Sequence, residues 1–141
     1  MQKVKIGIVG GAGYTGGELL RVLLRHPNAV ITFVHSTSNA GESVSKVHAD
    51  LVGDTDLKFA SALDQAIEVL FLCVGHSDAK KFLEANQIDA KVKIIDLSQD
   101  FRLAQNSQLA TRNSQLLLHI FLHHFDSFRF QNLIIKIIVK P

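Results

Sequence analysis

Six of the eleven residues from Gly7 to Gly17 are glycine. Among them Gly10-x-x-Gly13-x-x-Gly16 overlaps Gly11-x-Gly13-x-x-Gly16, within IGIVGGAGYTGGELLRVLLRHP. Backbone bared at this spacing suits one task, bringing main-chain N–H groups against a bulky anion. A pyrophosphate sits well at a helix N-terminus, where free N–H groups and the helix dipole favour negative charge. Side chains at those positions would hold the phosphate off, and glycine also takes positive φ in the turn without strain. The motif gains its meaning from a strand before it and a helix after it, and both are written here. Gly10, Ala12, Gly13, Tyr14, Thr15 and Gly16 are therefore the expected pyrophosphate-binding residues of a dinucleotide site. The competing reading is a tight strand-to-helix turn with no ligand.

A second group bears on which dinucleotide. An NAD site usually places Asp or Glu at the end of the next strand, to hold the ribose 2′-hydroxyl. Here that strand ends in His35-Ser36-Thr37-Ser38-Asn39, with no carboxylate before Glu42. Hydroxyls and amides can accept a 2′-phosphate that a carboxylate would repel, so Ser36, Thr37 and Ser38 point to NADP. No arginine stands nearby to join them, and the same residues are also ordinary turn formers. Gly75, at the end of a third strand, either lets the backbone pass close to the nicotinamide half or serves a plain strand-to-helix turn.

Other chemically suggestive residues carry less. Cys73 is the only thiol; within Phe-Leu-Cys-Val it reads as a small core residue with a raised pKa, not as a nucleophile. No catalytic residue is therefore assigned. His119 and His123 stand four apart, with His124 adjacent. The His-Glu-x-x-His pattern lacks its Glu, and no metal site is expected. Asp96, Asp100 and Arg102 are expected to form an ion-pair and capping cluster, either near the site or purely structural.

The elements that must position these residues follow from periodicity. Residues 3–9 read as a strand and 15–25 as a helix with Leu19, Leu20, Leu23 and Leu24 on one face, stopped at Pro27. Residues 30–34 read as a second strand. A helical turn is expected around 43–48, and the capping-box pattern Ser61-Ala-Leu-Asp64 suggests a short helix. The run 69–74 reads as a buried strand, Ser77 caps a helix to about Asn86, and 93–97 is another strand. Strand and helix alternate, so the fold class is α/β, a Rossmann-like doubly wound parallel sheet.

After Leu103 the pattern fails. The last of nine glycines is Gly75, residues 104–118 are rich in Gln, Asn, Ser and Leu, and no clean period follows. Residues 132–140, NLIIKIIVK, have high β propensity and read as a strand or an exposed adhesive segment. Charge divides at the same place. Residues 1–102 hold eleven basic against twelve acidic side chains, whereas 103–141 hold four against one. The basic residues are scattered singly, which argues against a nucleic-acid partner. No apolar run reaches the ~20 residues of a membrane span. One cysteine precludes an intrachain disulfide, and with no signal-peptide layout the expected setting is the cytoplasm.

Residues 1–103 resemble N-acetyl-gamma-glutamyl-phosphate reductase of arginine biosynthesis. The resemblance rests on KIGIVGGAGYTGGELLRVLLRHP, STSNAGESVSKVH and KIIDLSQDFRL, and chiefly on Gly13-Tyr-Thr-Gly16 and Asp96-Leu-Ser-x-Asp-Phe-Arg-Leu103. These two elements argue against the related aspartate-semialdehyde dehydrogenase. The resemblance implies an NADP-binding domain over 1–103 and a reductase acting on a small molecule, N-acetyl-glutamyl phosphate. A cysteine attacks the acyl phosphate, the thioester takes a hydride, and a histidine acts as acid and base. The family carries its cysteine in Asn-Pro-Gly-Cys, after Tyr-Gly-Leu-Pro-Glu; this sequence has neither. Residues 104–141 are a divergent tail, with the look of a truncated or frame-shifted end, in place of the substrate domain. The chain alone is expected to be inactive, and self-association belongs to the full-length family. The alternatives are a non-catalytic NADP-binding fragment or module, or an aspartate-semialdehyde-dehydrogenase-like reductase.

Overall fold

The computed structural model describes residues 3–75 and 77–98, and the backbone of 136–138. Their elements run β1 (Val4–Val9), α1 (Tyr14–Leu24), β2 (Ala29–His35), α2 (Val44–Val47), a 3-10 turn (Ala49–Leu51), β3 (Phe59–Ala60), β4 (Val69–Leu72), α3 (Asp78–Ala85), β5 (Lys93–Asp96) and β6 (Lys136–Ile138). The strands form one sheet in the order β3-β2-β1-β4-β5-β6. The first five in chain order are parallel, and β6 joins β5 antiparallel. This is the expected Rossmann-like doubly wound sheet. The chain winds outward from β1 through β2 to β3, then returns to the other side of β1 at β4. The reversal opens a crevice at the carboxyl ends of β1 and β4, where ligands of such sheets bind.

Burial explains why the strands read as apolar runs. Alternate residues face opposite sides of a strand, and here both sides are covered. Ile6 and Ile8 of β1 and Phe71 of β4 pack with Leu19, Leu20 and Leu23 of α1. Val9, Leu70 and Leu72 pack on the other side with Ala79, Phe82 and Leu83 of α3. The leucine spacing of α1 thus does what periodicity predicts. Gly7 lies under the Phe33 ring, which occupies the space a β-carbon would need. The register slips beside it: Ile6 pairs with Ile31 but Gly7 with Phe33, so Thr32 is an extra residue. Its Oγ1 donates to the Ile6 carbonyl at 3.1 Å, which gives the bulge a local hydrogen bond.

Two local expectations are overturned. Ser61–Asp64 does not start a helix; the segment is irregular. Asp64 Oδ1 accepts from Ala66 N at 2.8 Å, closing an Asx-type turn that competes with a helix. Ser77 precedes α3 as expected, but its side chain makes no capping bond. Its backbone is left-handed, φ 67°, and a capping hydroxyl needs the extended region to reach the first-turn N–H groups. Asp78, in the first turn, supplies the charge that suits the helix dipole instead. β3 is a strand that periodicity missed, since two residues display no period. Asp100, Arg102, His119, His123, His124 and most of 104–141 lie outside the described residues; 136–138, inside the adhesive run, is the strand β6.

Candidate functional site

Register places the site. His35 of β2, Val9 of β1, Leu72 of β4 and Asp96 of β5 stand in one row across the sheet. The glycine turn, Ser36 and Cys73 each follow immediately past that row. Segments far apart in sequence therefore emerge together, because parallel strands that end in register must release their chains on the same edge.

The glycines divide their work. Gly10 has φ +78°, and a β-carbon there would strike the Cys73 carbonyl at the end of β4. The His35 carbonyl accepts from Gly10 N at 3.1 Å and from Gly11 N at 3.2 Å, tying the turn to β2. Gly16 packs helix against turn: a β-carbon would lie 2.5 Å from the Gly10 oxygen and 2.6 Å from Gly11 Cα. Gly13 differs. It is the N-cap of α1 with ordinary extended backbone, φ −80° and ψ 175°. A β-carbon there would meet only the Gly10 oxygen, at 3.6 Å. Gly10 and Gly16 are thus glycine for the protein's own packing, whereas at Gly13 the bare backbone faces open space.

That open space is electrostatically prepared. The cap is a glycine, so no side chain meets the first-turn N–H groups of α1, and no acidic residue lies in that turn. An anion is the natural partner of such an end. Thr15 is half-buried, whereas Tyr14, 96% exposed, stands free beside the cap. Ala12 is half-buried.

At the end of β2, Ser36 is buried, and Thr37 and Ser38 are exposed. Ser36 N donates to the Ala60 carbonyl at 3.1 Å, so β3 fixes this loop. Asn39 Oδ1 accepts from Ser36 Oγ at 3.3 Å and Ser38 Oγ at 2.9 Å. The side chains form one hydroxyl–amide group without a carboxylate. Burial pushes the His35 imidazole below its ordinary pKa, only partly opposed by a backbone bond to Ser61. Gly75 is exposed; a β-carbon there would come within 3.3 Å of Asp78 Oδ2.

Cys73, just past the row, and Asp96, within it, are both buried. Burial, with the Asp96 charge adding to it, pushes the Cys73 thiol up to about 12. Asp96 is buried, with Oδ1 accepting from Ser98 N and Oδ2 from Ser98 Oγ, both at 2.9 Å. Sequence reasoning did not single out His48. It is buried, and its Nε2 lies 2.8 Å from the Gly11 carbonyl. Nothing in spacing marks it, because it reaches the turn from a loop 37 residues away.

A family model described as "Semialdehyde dehydrogenase, NAD binding domain" matches residues 5–121. The chain belongs to this family. Among curated relatives of this semialdehyde dehydrogenase domain, an N-acetyl-gamma-glutamyl-phosphate reductase of Christiangramia forsetii is 50% identical over 103 residues, 73% of this chain and 32% of that protein. One of Parabacteroides distasonis is 54% identical over 101 residues, 71% of this chain and 31% of that protein. The chain thus spans about a third of the length of these relatives. Among solved structures, aspartate semialdehyde dehydrogenase with NADP from Candida albicans superposes with TM-score 0.57 at 16% identity. It covers 72% of this chain and 31% of that one, and the likeness is one of fold. Among the described residues no group of three His, Cys, Asp or Glu could hold a metal, and no helix is long and apolar enough to cross a membrane.

The division among the glycines can be checked by stability. Gly16→Ala should destabilise the fold by about 2 kcal/mol, since the new β-carbon meets backbone that cannot step aside. Urea denaturation reads it, with Gly13→Ala as the comparison that loses only the N-cap preference, about 1 kcal/mol. Equal midpoints for Gly16→Ala and wild type would remove the packing role.

Proposed function

We propose that the chain is the NADP-binding part of an oxidoreductase that reduces N-acetyl-glutamyl phosphate to the semialdehyde in arginine biosynthesis. The observation that carries this reading is identity of about half to N-acetyl-gamma-glutamyl-phosphate reductases across the whole described site. The residues fit the cofactor. Gly13 leaves a space that a β-carbon would fill, and the N–H groups at the start of α1 lack a side-chain cap. Ala12, Gly13, Tyr14 and Thr15, in a turn that Gly10 and Gly16 shape, hold the pyrophosphate, Ser36, Thr37 and Ser38 the 2′-phosphate, and Gly75 the nicotinamide side. When bound, NADPH supplies the hydride. This chain's own residues bind and orient; the domain they form extends to about Leu103, and its setting is the cytoplasm.

The cofactor preference is tested by calorimetric titration of NADP+ and NAD+ into the purified chain. NADP+ should bind about tenfold or more tightly, the scale of one or two charge-assisted hydrogen bonds to the 2′-phosphate. Equal affinities, or tighter NAD+, would defeat the preference. The runner-up reading is a non-catalytic NADP-binding module. It is favoured by Cys73, whose burial leaves the only thiol of the chain inert.

A further inference from the structure

We propose that His48 is a positioning residue of the dinucleotide site, holding the Gly11–Ala12 peptide so that the Ala12 N–H is presented to a phosphate oxygen. The inference rests on the reading of the glycine turn as a dinucleotide cradle and adds a residue to it.

The carbonyl of Gly11 can only accept, so His48 Nε2, 2.8 Å away, carries the proton and donates. The bond is buried, and a buried acceptor left without a donor is costly. A trans peptide is planar, with its C=O and N–H directed oppositely. Pinning the Gly11 carbonyl toward His48 therefore turns the Ala12 N–H away from the imidazole. That N–H donates to no group among the described residues, although Ala12 is half-buried. It adds one donor beside the open space at Gly13.

The imidazole is itself fixed. A β-carbon on Gly17 would lie 2.6 Å from His48 Cε1 and 2.8 Å from Nδ1, so Gly17 is the bare face of α1 that admits the ring. One turn further along α1, Arg21 grips Asp50 with two bonds, Nε to Oδ2 at 2.5 Å and an Nη to Oδ1 at 2.7 Å. Those bonds hold the Asp50 carboxyl below its usual range. The segment carrying His48 is thereby fastened to α1 beside the turn it orients.

The test compares two probes on the full chain. NADP+ engages the pyrophosphate turn, whereas 2′-AMP has the adenosine and 2′-phosphate but no pyrophosphate. His48→Leu should weaken NADP+ about tenfold, the scale of one hydrogen bond to an anion, and leave 2′-AMP within about twofold. His48→Gln, which keeps an N–H donor, should recover most of the loss. In amide NMR spectra, NADP+ should shift the Ala12 N–H strongly in wild type and weakly in His48→Leu. Unchanged NADP+ affinity in His48→Leu, equal loss of both probes, or an Ala12 N–H indifferent to NADP+ would overturn the assignment. A wild-type chain that binds 2′-AMP and not NADP+ would instead remove the cradle reading, and this inference with it.

Discussion

Gly13→Val should abolish useful dinucleotide binding while leaving the fold nearly intact. The affinity loss expected for NADP+ and NAD+ alike is a hundredfold or more, about 3 kcal/mol, equivalent to one or two charge-assisted hydrogen bonds to the pyrophosphate. The backbone at Gly13 is extended, φ −80° and ψ 175°, a region valine prefers. A β-carbon there would touch only the Gly10 oxygen at 3.6 Å, an ordinary contact. Valine is a poor N-cap, but the cost relative to glycine is about 1 kcal/mol. What the isopropyl group does fill is the space before the first turn of α1, where the phosphates would lie. Calorimetry and urea denaturation on one preparation read the two effects. Wild-type affinity in Gly13→Val would place the pyrophosphate elsewhere, whatever the fold. Gly16→Ala provides the opposite pattern, with stability falling because the obstruction is the protein's own backbone.

This contrast shows what the sequence could and could not disclose. Three glycines at fixed spacing between an apolar strand and a leucine-faced helix are a local signal. The strand, the turn and the helix all lie within residues 4–24, so periodicity alone locates them. The jobs of the glycines are only partly local: Gly13 and Gly16 meet nothing but Gly10 and Gly11 of the same turn, whereas Gly10 and Gly11 abut distant strands. Gly10 needs Cys73 and Gly11 needs Val34 as neighbours, and those contacts exist only once β4 and β2 have paired with β1. The same reasoning covers His48, whose bond to Gly11 spans 37 residues. The errors have a related cause. Ser61–Asp64 carries a capping pattern, but such a pattern offers the backbone a local bond without deciding between helix and turn. At Asp64 the turn won, with its acceptor two residues from the donor. Ser77 has a capping residue's chemistry, yet the chain leaves β4 in a left-handed conformation that points its hydroxyl away from that role.

The chain alone should not oxidise NADPH in the presence of N-acetyl-glutamyl phosphate, nor reduce NADP+ with the semialdehyde and phosphate. Acyl transfer to sulfur needs a thiolate that can reach the carbonyl carbon. Cys73 is the only cysteine, and it is buried beyond the end of β4, with its thiol pushed up to about 12. At pH 8 that leaves almost none of it as thiolate. The neighbouring Asp96 charge worsens the position, because a second anion beside a buried carboxylate is repelled. An alkylating reagent should therefore label the folded protein very slowly at pH 8 and the urea-unfolded protein at the rate of an ordinary thiol. The same displacement gives a pH signature. The ordinary thiol value is 9.0, so between 9.0 and about 12 the unfolded chain releases a proton that the folded chain keeps. Stability must then fall as pH rises through that window, by up to about 1.4 kcal/mol per unit. Cys73→Ala should flatten the slope while leaving dinucleotide affinity unchanged. Fast labelling of the native protein would show the thiol accessible and ionised, and turnover that survives purification and vanishes in Cys73→Ser would show that this cysteine is the nucleophile after all.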